Sequence, residues 1–222
     1  MQELTRSEFL RKFRTEWDIG QHVTIIGTTG SGKTVLAGQV YGLREYVVVV
    51  ATKSSDRSLD DYDSSFHRVK KWDPQWFQKR ILFWKRPDKL GDFTEQREAV
   101  FDVMDDVYTH GHRTMGWDDV VYMVRQLRLG GEIQMMCTQS RSQDISLVAN
   151  LQRPAWVPLE VCNQATHLLM FGVKDKDDVD RIAEAQGIQK DEVRSAVGAL
   201  NKYDFAWIRT GVEPVIVRND KE

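Results

Sequence analysis

An eight-residue segment combines glycines, hydroxyl side chains and one lysine in the order that phosphate binding requires. Residues 27–34 spell GTTGSGKT and fit the pattern G-x-x-x-x-G-K-[ST]. In that pattern the glycines let successive backbone N–H groups point at phosphates, the lysine adds positive charge, and the last hydroxyl binds Mg²⁺. The segment therefore predicts a site for a nucleoside triphosphate, ATP, together with Mg²⁺. Its residues are Gly27, Thr28, Thr29, Gly30, Ser31, Gly32, Lys33 and Thr34.

Two pairs of adjacent aspartates are candidates for the acids that accompany such a loop. Asp118 and Asp119 follow a short strand candidate at 114–117 and precede a helical pattern, so they would stand where a strand ends. Asp105 and Asp106 lie inside a helical pattern with no strand behind them. We therefore predict that Asp118 faces Mg²⁺ and Asp119 orients the attacking water, with Asp105–Asp106 as the alternative pair. A helix N-terminus that merely favours acids would also explain Asp118–Asp119.

A polar amide closes another apolar strand candidate. Gln152 follows 145–151 (ISLVANL) and precedes Arg153-Pro154. An amide at the tip of a central strand can reach a γ-phosphate or its attacking water, whereas a simple turn residue would have no such role. On local chemistry alone both interpretations of Gln152 stay open.

The rest of the chain alternates short apolar runs with longer amphipathic segments, which predicts parallel strands joined by helices. The run 46–51 (YVVVVA) is β-branched almost throughout, as is typical of a strand covered on both faces. We expect one three-layer α/β domain over 1–222, with 1–20 as a helical N-terminal extension. The predicted strands are 22–26, 46–51, 80–84, 114–117, 145–151 and 166–171, and the terminal β-hairpin is 203–218. The predicted helices are 6–17, 33–43, 93–108, a long helix over 120–142 that is broken or kinked near Gly130–Gly131, and one or two helices over 175–200 separated at Gly187.

Composition limits the function classes. The 222 residues include 31 Lys and Arg against 33 Asp and Glu, so the chain lacks the overall positive charge that is typical of nucleic-acid-binding proteins. Any DNA contact would need a local patch, repeated around an oligomer. The start of the chain is charged and the longest apolar run, 46–51, is too short for a bilayer, so we expect an intracellular protein without a membrane span. Cys137 and Cys162 lie far apart and are expected to be reduced thiols.

These features together resemble the FtsK/HerA superfamily of P-loop ATPases. The resemblance rests on GTTGSGKT after HVTII, on YVVVVATK, on the aspartate pair, and on SRSQDISLVANLQRP followed by a strand, and it spans 21–208. The segment ISLVANLQRPAWVPLEVCNQATHLLMF is most similar to small phage and prophage ATPases. The resemblance implies a RecA-like fold with a mostly parallel sheet. It also implies a hexameric or pentameric ring that pumps double-stranded DNA by ATP hydrolysis, as in viral genome packaging, through contacts to the DNA backbone.

The resemblance also implies roles for single residues. Lys33 and Thr34 would hold phosphate and metal, Asp118 the metal, Asp119 the catalytic water, and Gln152 would sense the γ-phosphate. The protein would act in the cytoplasm of a bacterial host or at a virion vertex, with a capsid or portal component as a partner.

A ring of this type uses an arginine that one subunit offers to the ATP of its neighbour. Arg141, just before the strand that Gln152 closes, resembles that arginine. The alternatives for the same role are Arg125, Arg128 and Arg153.

Two departures from the superfamily pattern concern the acid pair. Asp119 stands where the superfamily usually has glutamate, and because its side chain is one methylene shorter we expect slow turnover. The strand candidate before the pair carries Gly116 and is less apolar than the pattern predicts.

Three other functions compete with this prediction. Residues 201–204 spell NKxD and 88–91 spell DxxG, as in small GTPases, but 192–200 has a helical pattern where NKxD needs a strand. A small-molecule kinase would need an arginine-rich lid, which the sequence lacks. A regulatory or defence ATPase of the same fold that moves no DNA is compatible with every motif.

A basic stretch with interleaved tryptophans could contact DNA phosphates or form a solvated face. Its members are Lys53, Arg57, Arg68, Lys70, Lys71, Trp72, Trp76, Lys79, Arg80, Trp84, Lys85 and Arg86.

Overall fold

A twisted sheet of ten strands forms the centre of the fold. The computed structural model describes residues 1–53, 59, 65–73, 78–87, 89–173 and 175–220. Within these residues the strand order is β1-β10-β9-β8-β2-β7-β6-β3-β5-β4, and β9 is the strand that runs against all the others. The strands are β1 (Glu3–Thr5), β2 (His22–Ile26), β3 (Val47–Ala51), β4 (His67–Val69), β5 (Arg80–Trp84), β6 (Thr114–Trp117), β7 (Ser146–Leu151), β8 (Ala165–Phe171), β9 (Phe205–Arg209) and β10 (Val212–Arg218).

Helices cover both faces of the sheet, so the predicted three-layer α/β architecture with a mostly parallel sheet is confirmed. The first two helices pack on one face and the others on the opposite face. The α-helices are α1 (Arg6–Glu16), α2 (Lys33–Tyr41), α3 (Thr94–His110), α4 (Val120–Arg125), α5 (Gly130–Gln139), α6 (Glu160–Asn163), α7 (Lys176–Gln186) and α8 (Lys190–Gly198). Short 3-10 helices span Ser140–Gln143 and Pro154–Trp156.

The central strands are buried on both sides, which explains their uninterrupted apolar sequences. Along β3 every residue is fully buried, and alternate side chains enter the two opposite cores. Val48 and Val50 face the core under α3 to α8, whereas Val47 and Val49 face the core under α1 and α2. This is the arrangement that a β-branched run predicts for a parallel strand.

The two ends of the chain meet at one edge of the sheet. The predicted terminal hairpin is present as β9 and β10, and β1 pairs with β10 in parallel. Phe9 and Phe13 of α1 are fully buried and pack edge-on against Trp207 of β9. The predicted N-terminal helix therefore lies on the sheet and contributes to one of its two cores.

The segment around the acid pair contains the predicted strand and the predicted interrupted helix. The break expected near Gly130–Gly131 lies just before it, because α4 ends at Arg125 and α5 begins at Gly130, and a 3-10 helix follows α5. Gly116 is required in β6, because a Cβ would lie 2.3 Å from the Tyr41 hydroxyl oxygen. The glycine lets α2 pack directly on the sheet beside the acid pair.

Two further findings concern the membrane and the thiols. Across the described part of the chain no α-helix has the length and apolar character needed to span a bilayer. Cys137 and Cys162 are both buried, and burial raises the pKa of each thiol to about 12.

Candidate nucleotide-binding site

The phosphate loop connects β2 to α2 at the carboxyl ends of the central strands. The Gly27 N–H donates to the Leu151 carbonyl over 3.2 Å, which ties the loop to the end of β7. Gly27 has no room for a side chain, since a Cβ would lie 2.6 Å from Ser31 Oγ. Gly30 and Gly32 adopt left-handed φ angles of 77° and 99°. Glycine is the residue that takes this conformation without strain, so the sequence pattern has a direct backbone cause.

Lys33 begins α2 and turns back over the loop. Its ammonium donates to the carbonyl oxygens of Gly27 and Thr28 over 2.7 and 2.8 Å. Burial, followed by the nearby Lys53 ammonium, lowers the pKa of Lys33 to about 8. A polyphosphate would provide stronger acceptors than these neutral carbonyls and would favour the charged form of the lysine.

The acid pair lies where β6 ends. The Asp118 N–H donates to the Val50 carbonyl over 3.1 Å, and the residue is only 4% exposed. Its Oδ2 is 3.2 Å from the Lys53 ammonium, at the end of β3. Asp119 is the N-cap of α4, because its Oδ1 accepts the Tyr122 N–H over 3.0 Å. Such a cap uses one carboxylate oxygen and leaves the other available.

The alternative acid pair lies elsewhere. Asp105 and Asp106 are both in α3, and Asp106 Oδ2 accepts the Trp72 indole N–H over 3.0 Å. Neither residue lines the cleft beside the phosphate loop.

One cleft of about 360 Å³ collects most of the predicted residues. The Gln152 amide oxygen accepts the Thr29 hydroxyl over 3.2 Å, so the strand tip touches the phosphate loop. A buried acid, a half-buried lysine and a strand-tip amide thus meet at one concavity. The lining residues are Thr29, Gly30, Gly32, Lys33, Thr34, Val35, Lys53, Asp118, Asp119, Asn150, Leu151, Gln152 and Tyr203.

Sequence reasoning missed five members of this lining, which are Val35, Lys53, Asn150, Leu151 and Tyr203. Asn150 is 1% exposed, and within the described residues neither its Oδ1 nor its Nδ2 has a hydrogen-bond partner. Its polar side chain in the otherwise apolar run ISLVANL was a signal for a site residue. Lys53 was predicted only as a DNA-facing cation, and nothing in the sequence pointed to Val35 or Tyr203 at the cleft.

The residues present fit a magnesium ion. Mg²⁺ prefers hard oxygen ligands, and the cleft offers the Asp118 carboxylate and the Thr34 hydroxyl. The Lys53 ammonium beside Asp118 shows that this position already stabilises a positive charge. A metal ion with one carboxylate, one hydroxyl and phosphate oxygens as ligands is therefore compatible with the donor set.

None of the four candidate arginines lines the cleft of its own subunit. Arg141 lies in the 3-10 helix before β7, and its carbonyl oxygen would be 3.0 Å from a Cβ on Gly20, at the amino end of the sheet. Arg153 forms ion pairs with Asp175 and Asp178.

The other two candidate arginines have distinct settings. The Arg125 guanidinium lies 4.2 Å from the ring centroid of the exposed Trp156. Arg128 is exposed and has a left-handed φ of 56°. An arginine that acts on a neighbouring subunit does not need to line its own cleft, so the geometry leaves all four open.

Much of the basic stretch is engaged within the molecule. Lys79 pairs with Glu45, Lys85 with Glu95, and the Arg80 guanidinium donates to the carbonyls of Gly42 and Arg44. The Trp84 indole donates to the Lys53 carbonyl. Arg57 and Trp76, like Asp88 of the DxxG tetrapeptide, lie outside the described residues.

The NKxD tetrapeptide forms a turn between α8 and β9 rather than the end of a buried strand. The Asp204 carboxylate is 4% exposed and accepts from the N–H groups of Asn201 and Asn219 and from Arg218. These bonds occupy the oxygens that a guanine-binding aspartate would offer to the base.

Solved structures share the fold across nearly the whole chain. The genome packaging NTPase B204 from Sulfolobus turreted icosahedral virus 2 in complex with sulfate matches with a TM-score of 0.69 at 16% identity, over 93% of this chain and 100% of its own. The same NTPase in complex with AMPPCP matches with a TM-score of 0.67 at 16% identity, over 92% and 100%. VirB4 of Thermoanaerobacter pseudethanolicus matches with a TM-score of 0.66 at 8% identity, over 90% and 89%.

No protein-family model matches the sequence, and no curated protein matches it either. The structural matches, at these identities, show a shared fold. The predicted RecA-like architecture is confirmed, and the resemblance inferred from the sequence holds at the level of the fold.

Proposed function

We propose that this protein is an ATP-hydrolysing DNA translocase of the FtsK/HerA type that works as a ring in viral genome packaging or a related DNA-pumping process. The observation that carries the proposal is the convergence of Lys33, Thr34, Asp118 and Gln152 on one cleft at the carboxyl ends of central parallel strands. Ligands of open α/β sheets bind at this edge. A genome-packaging NTPase of the same fold supports the assignment to DNA transport.

Each cleft residue has a role in this proposal that follows from its position. The loop N–H groups and Lys33 bind the phosphates. Thr34 and Asp118 would hold Mg²⁺, which, when bound, neutralises charge on the phosphate oxygens. Asp119 uses one carboxylate oxygen to cap α4, so its second oxygen orients the attacking water and accepts its proton. Gln152 contacts the loop through Thr29 and would report whether a γ-phosphate is present.

The proposal places the catalytic unit between subunits. One subunit supplies the loop, and its neighbour supplies an arginine, Arg141 in our assignment. Double-stranded DNA passes through the ring and is bound through its phosphates. The ring works in the cytoplasm of a bacterial host, where a capsid or portal component holds it at a virion vertex.

A switch that hydrolyses ATP without moving DNA is the second candidate. The observation in its favour is that the lysines and arginine near β5 bond to the protein itself, which leaves fewer cations for DNA phosphates.

Steady-state ATP hydrolysis with and without duplex DNA, combined with mass measurement in solution, tests the two candidates. For a translocase we expect DNA to promote ring formation and hydrolysis together, and added salt to weaken both. A monomer that hydrolyses ATP at its full rate without DNA would contradict the translocase and favour the switch. A mixture of Arg141→Ala and Lys33→Ala subunits should recover part of the activity. At some interfaces the intact phosphate loop of an Arg141→Ala subunit meets the intact Arg141 of a Lys33→Ala subunit, which completes one site.

A further inference from the structure

Tyr203 has an uncommon backbone conformation beside the cleft. Its φ is +70°, in the left-handed region that bulky residues rarely adopt. Three other non-glycine residues in the described chain share a positive φ, namely His112, Arg128 and Asp144, and none of them lines the cleft. The Tyr203 side chain is also 41% exposed. Strain at a ligand cleft in an exposed aromatic residue suggests a role in binding.

The turn around Tyr203 is braced on its carboxyl side. The buried Asp204 accepts the Asn201 N–H over 3.0 Å, the Asn219 N–H over 2.9 Å and an Arg218 N–H over 2.8 Å. Charge-assisted hydrogen bonds of this kind are strong enough to hold a residue in a strained conformation. The NKxD tetrapeptide therefore has a structural purpose: it fixes the turn that presents Tyr203.

A second brace comes from the other end of the chain. The Arg6 guanidinium, 6% exposed, donates to the Tyr203 carbonyl over 2.9 Å and to the Gln39 amide oxygen of α2 over 3.2 Å. It also lies 4.8 Å from the ring centroid of Phe205. One arginine thus links the N-terminal helix, the helix after the phosphate loop and the Tyr203 turn.

The Tyr203 ring forms part of the apolar lining of the cleft. A Cβ on Gly32 would lie 3.5 Å from Tyr203 Cδ1, so the ring stands next to the start of α2. Val35, in the first turn of α2, is 56% exposed and lines the same cleft. The same cleft is lined by the charged and hydroxyl side chains of Lys33, Thr34 and Asp118. A nucleotide combines the same two characters, because it carries charged phosphates and a flat, weakly polar base.

We propose that Tyr203 is the platform on which the base of the bound nucleotide stacks, with Val35 as the opposing apolar contact. This inference rests on the proposed nucleotide site and extends it to the base. Recognition by stacking tolerates different bases, because every base presents a π face. Asp204 does not line the cleft and its carboxylate is engaged by three hydrogen bonds within the protein, so it does not provide a guanine-specific contact. We therefore expect ATP and GTP to bind with similar affinity.

Calorimetric titration with Mg²⁺ and three ligands, ATP, GTP and inorganic tripolyphosphate, tests this proposal. Tyr203→Asn is the informative variant, because asparagine accepts a left-handed φ and removes the ring. We expect it to weaken ATP and GTP about tenfold each, the loss of one base–aromatic stack, and to leave tripolyphosphate unchanged. Tyr203→Trp should retain both affinities. Tyr46→Ala is the matched control, since Tyr46 is equally exposed and lies outside the cleft, and it should change nothing.

Several results would overturn the proposal. Equal weakening of ATP and tripolyphosphate in Tyr203→Asn would show that the residue supports the loop and does not contact the base. Unchanged ATP affinity in that variant would show that no stack exists. If the wild-type protein bound neither ATP nor tripolyphosphate, the proposed nucleotide site itself would be wrong.

Discussion

The two ends of the parallel strands carry buried polar residues of different character. At the carboxyl end, Lys33 bonds only to carbonyls of its own loop, and neither amide atom of Asn150 is paired within the described chain. At the amino end, Ser146 Oγ accepts the Gly20 N–H over 3.0 Å and His167 Nδ1 accepts the Trp207 indole N–H over 3.2 Å. Ser146 and His167 at the amino end thus bond to the protein, whereas the buried Asn150 amide at the carboxyl end has no partner among the described residues and is available to a ligand.

Along the same strands, buried polar residues at the amino end therefore serve the stability of the fold, and those at the carboxyl end serve its function. A buried polar group that lacks a partner costs free energy of folding, and the fold retains it where a ligand later supplies the partner. We therefore expect substitutions at the carboxyl end to change chemistry and those at the amino end to change stability. Each prediction below tests that separation.

The largest effect should follow Asp119→Asn at the carboxyl end. Asparagine caps a helix about as well as aspartate, so α4 should stay intact while the water-orienting carboxylate is lost. We expect Mg·ATP binding to be retained and hydrolysis to fall by about 10³-fold, the usual scale for a lost general base. Single-turnover hydrolysis and thermal unfolding measure the two properties. Asp105→Asn is the matched control and should hydrolyse normally; the reverse outcome would identify Asp105–Asp106 as the acid pair.

Asp119→Glu sharpens the same point. Glutamate supplies an acid one methylene longer, as the resemblance to FtsK/HerA ATPases implies for this position, but it is a poorer N-cap than aspartate. We expect faster turnover together with a loss of about 1 kcal/mol in the free energy of unfolding. Unchanged turnover would show that the reach of the acid does not limit this enzyme.

The sequence predicts those site residues that are adjacent along the chain and misses those that only the fold brings together. The phosphate loop, the strand before it and the helix after it are contiguous, and their pattern predicts both geometry and chemistry. Lys53, Asn150 and Tyr203 join the cleft only through the strand order, in which β7 lies between β2 and β6 and the hairpin follows β8. A single sequence does not give that order. The sequence likewise gives no reason for Gly116, since the reason is the Tyr41 hydroxyl on another element.

At the amino end, acid should destabilise the fold. Burial is the main cause that lowers the pKa of both His22 and His167 from 6.5 to about 4. The folded state therefore favours the neutral rings, and the unfolded state binds more protons below pH 6.5. Stability is fully present above pH 6.5 and falls as the pH drops to about 4, by about 3 kcal/mol for each histidine.

Chemical denaturation at a series of pH values measures this loss. His167→Gln removes one titrating group and keeps an acceptor for the Trp207 indole, so the slope between pH 6.5 and 4 should be roughly half that of the wild type. An unchanged slope in His167→Gln would show that His167 is not a source of the acid sensitivity. ATP affinity at neutral pH should not change.

Lys33→Ala should reduce ATP affinity by roughly 100-fold, the loss of a charge-assisted contact to phosphate. The substitution also removes the two hydrogen bonds from Lys33 to carbonyls of its own loop, and because the loop lies at an open cleft we expect only a small fall in the melting temperature. Calorimetric titration and thermal unfolding provide the measurements. Lys79→Ala is the matched control, because Lys79 pairs with Glu45 at the surface and lies outside the cleft. Wild-type affinity in Lys33→Ala would mean that the phosphate site lies elsewhere.

The smallest expected effect is a change in the free energy of unfolding. It compares the two strand ends most directly, because we expect a gain at the carboxyl end and a loss at the amino end. Asn150→Leu replaces an unpaired buried amide with an apolar side chain of similar size, and we expect it to raise the free energy of unfolding by about 1 kcal/mol. Ser146→Ala leaves the Gly20 N–H without its acceptor and should lower it by about 1 kcal/mol. Asn150→Leu should weaken Mg·ATP binding while Ser146→Ala should not. Equal destabilisation by both substitutions, measured by urea denaturation, would show that the Asn150 amide serves the fold rather than a ligand.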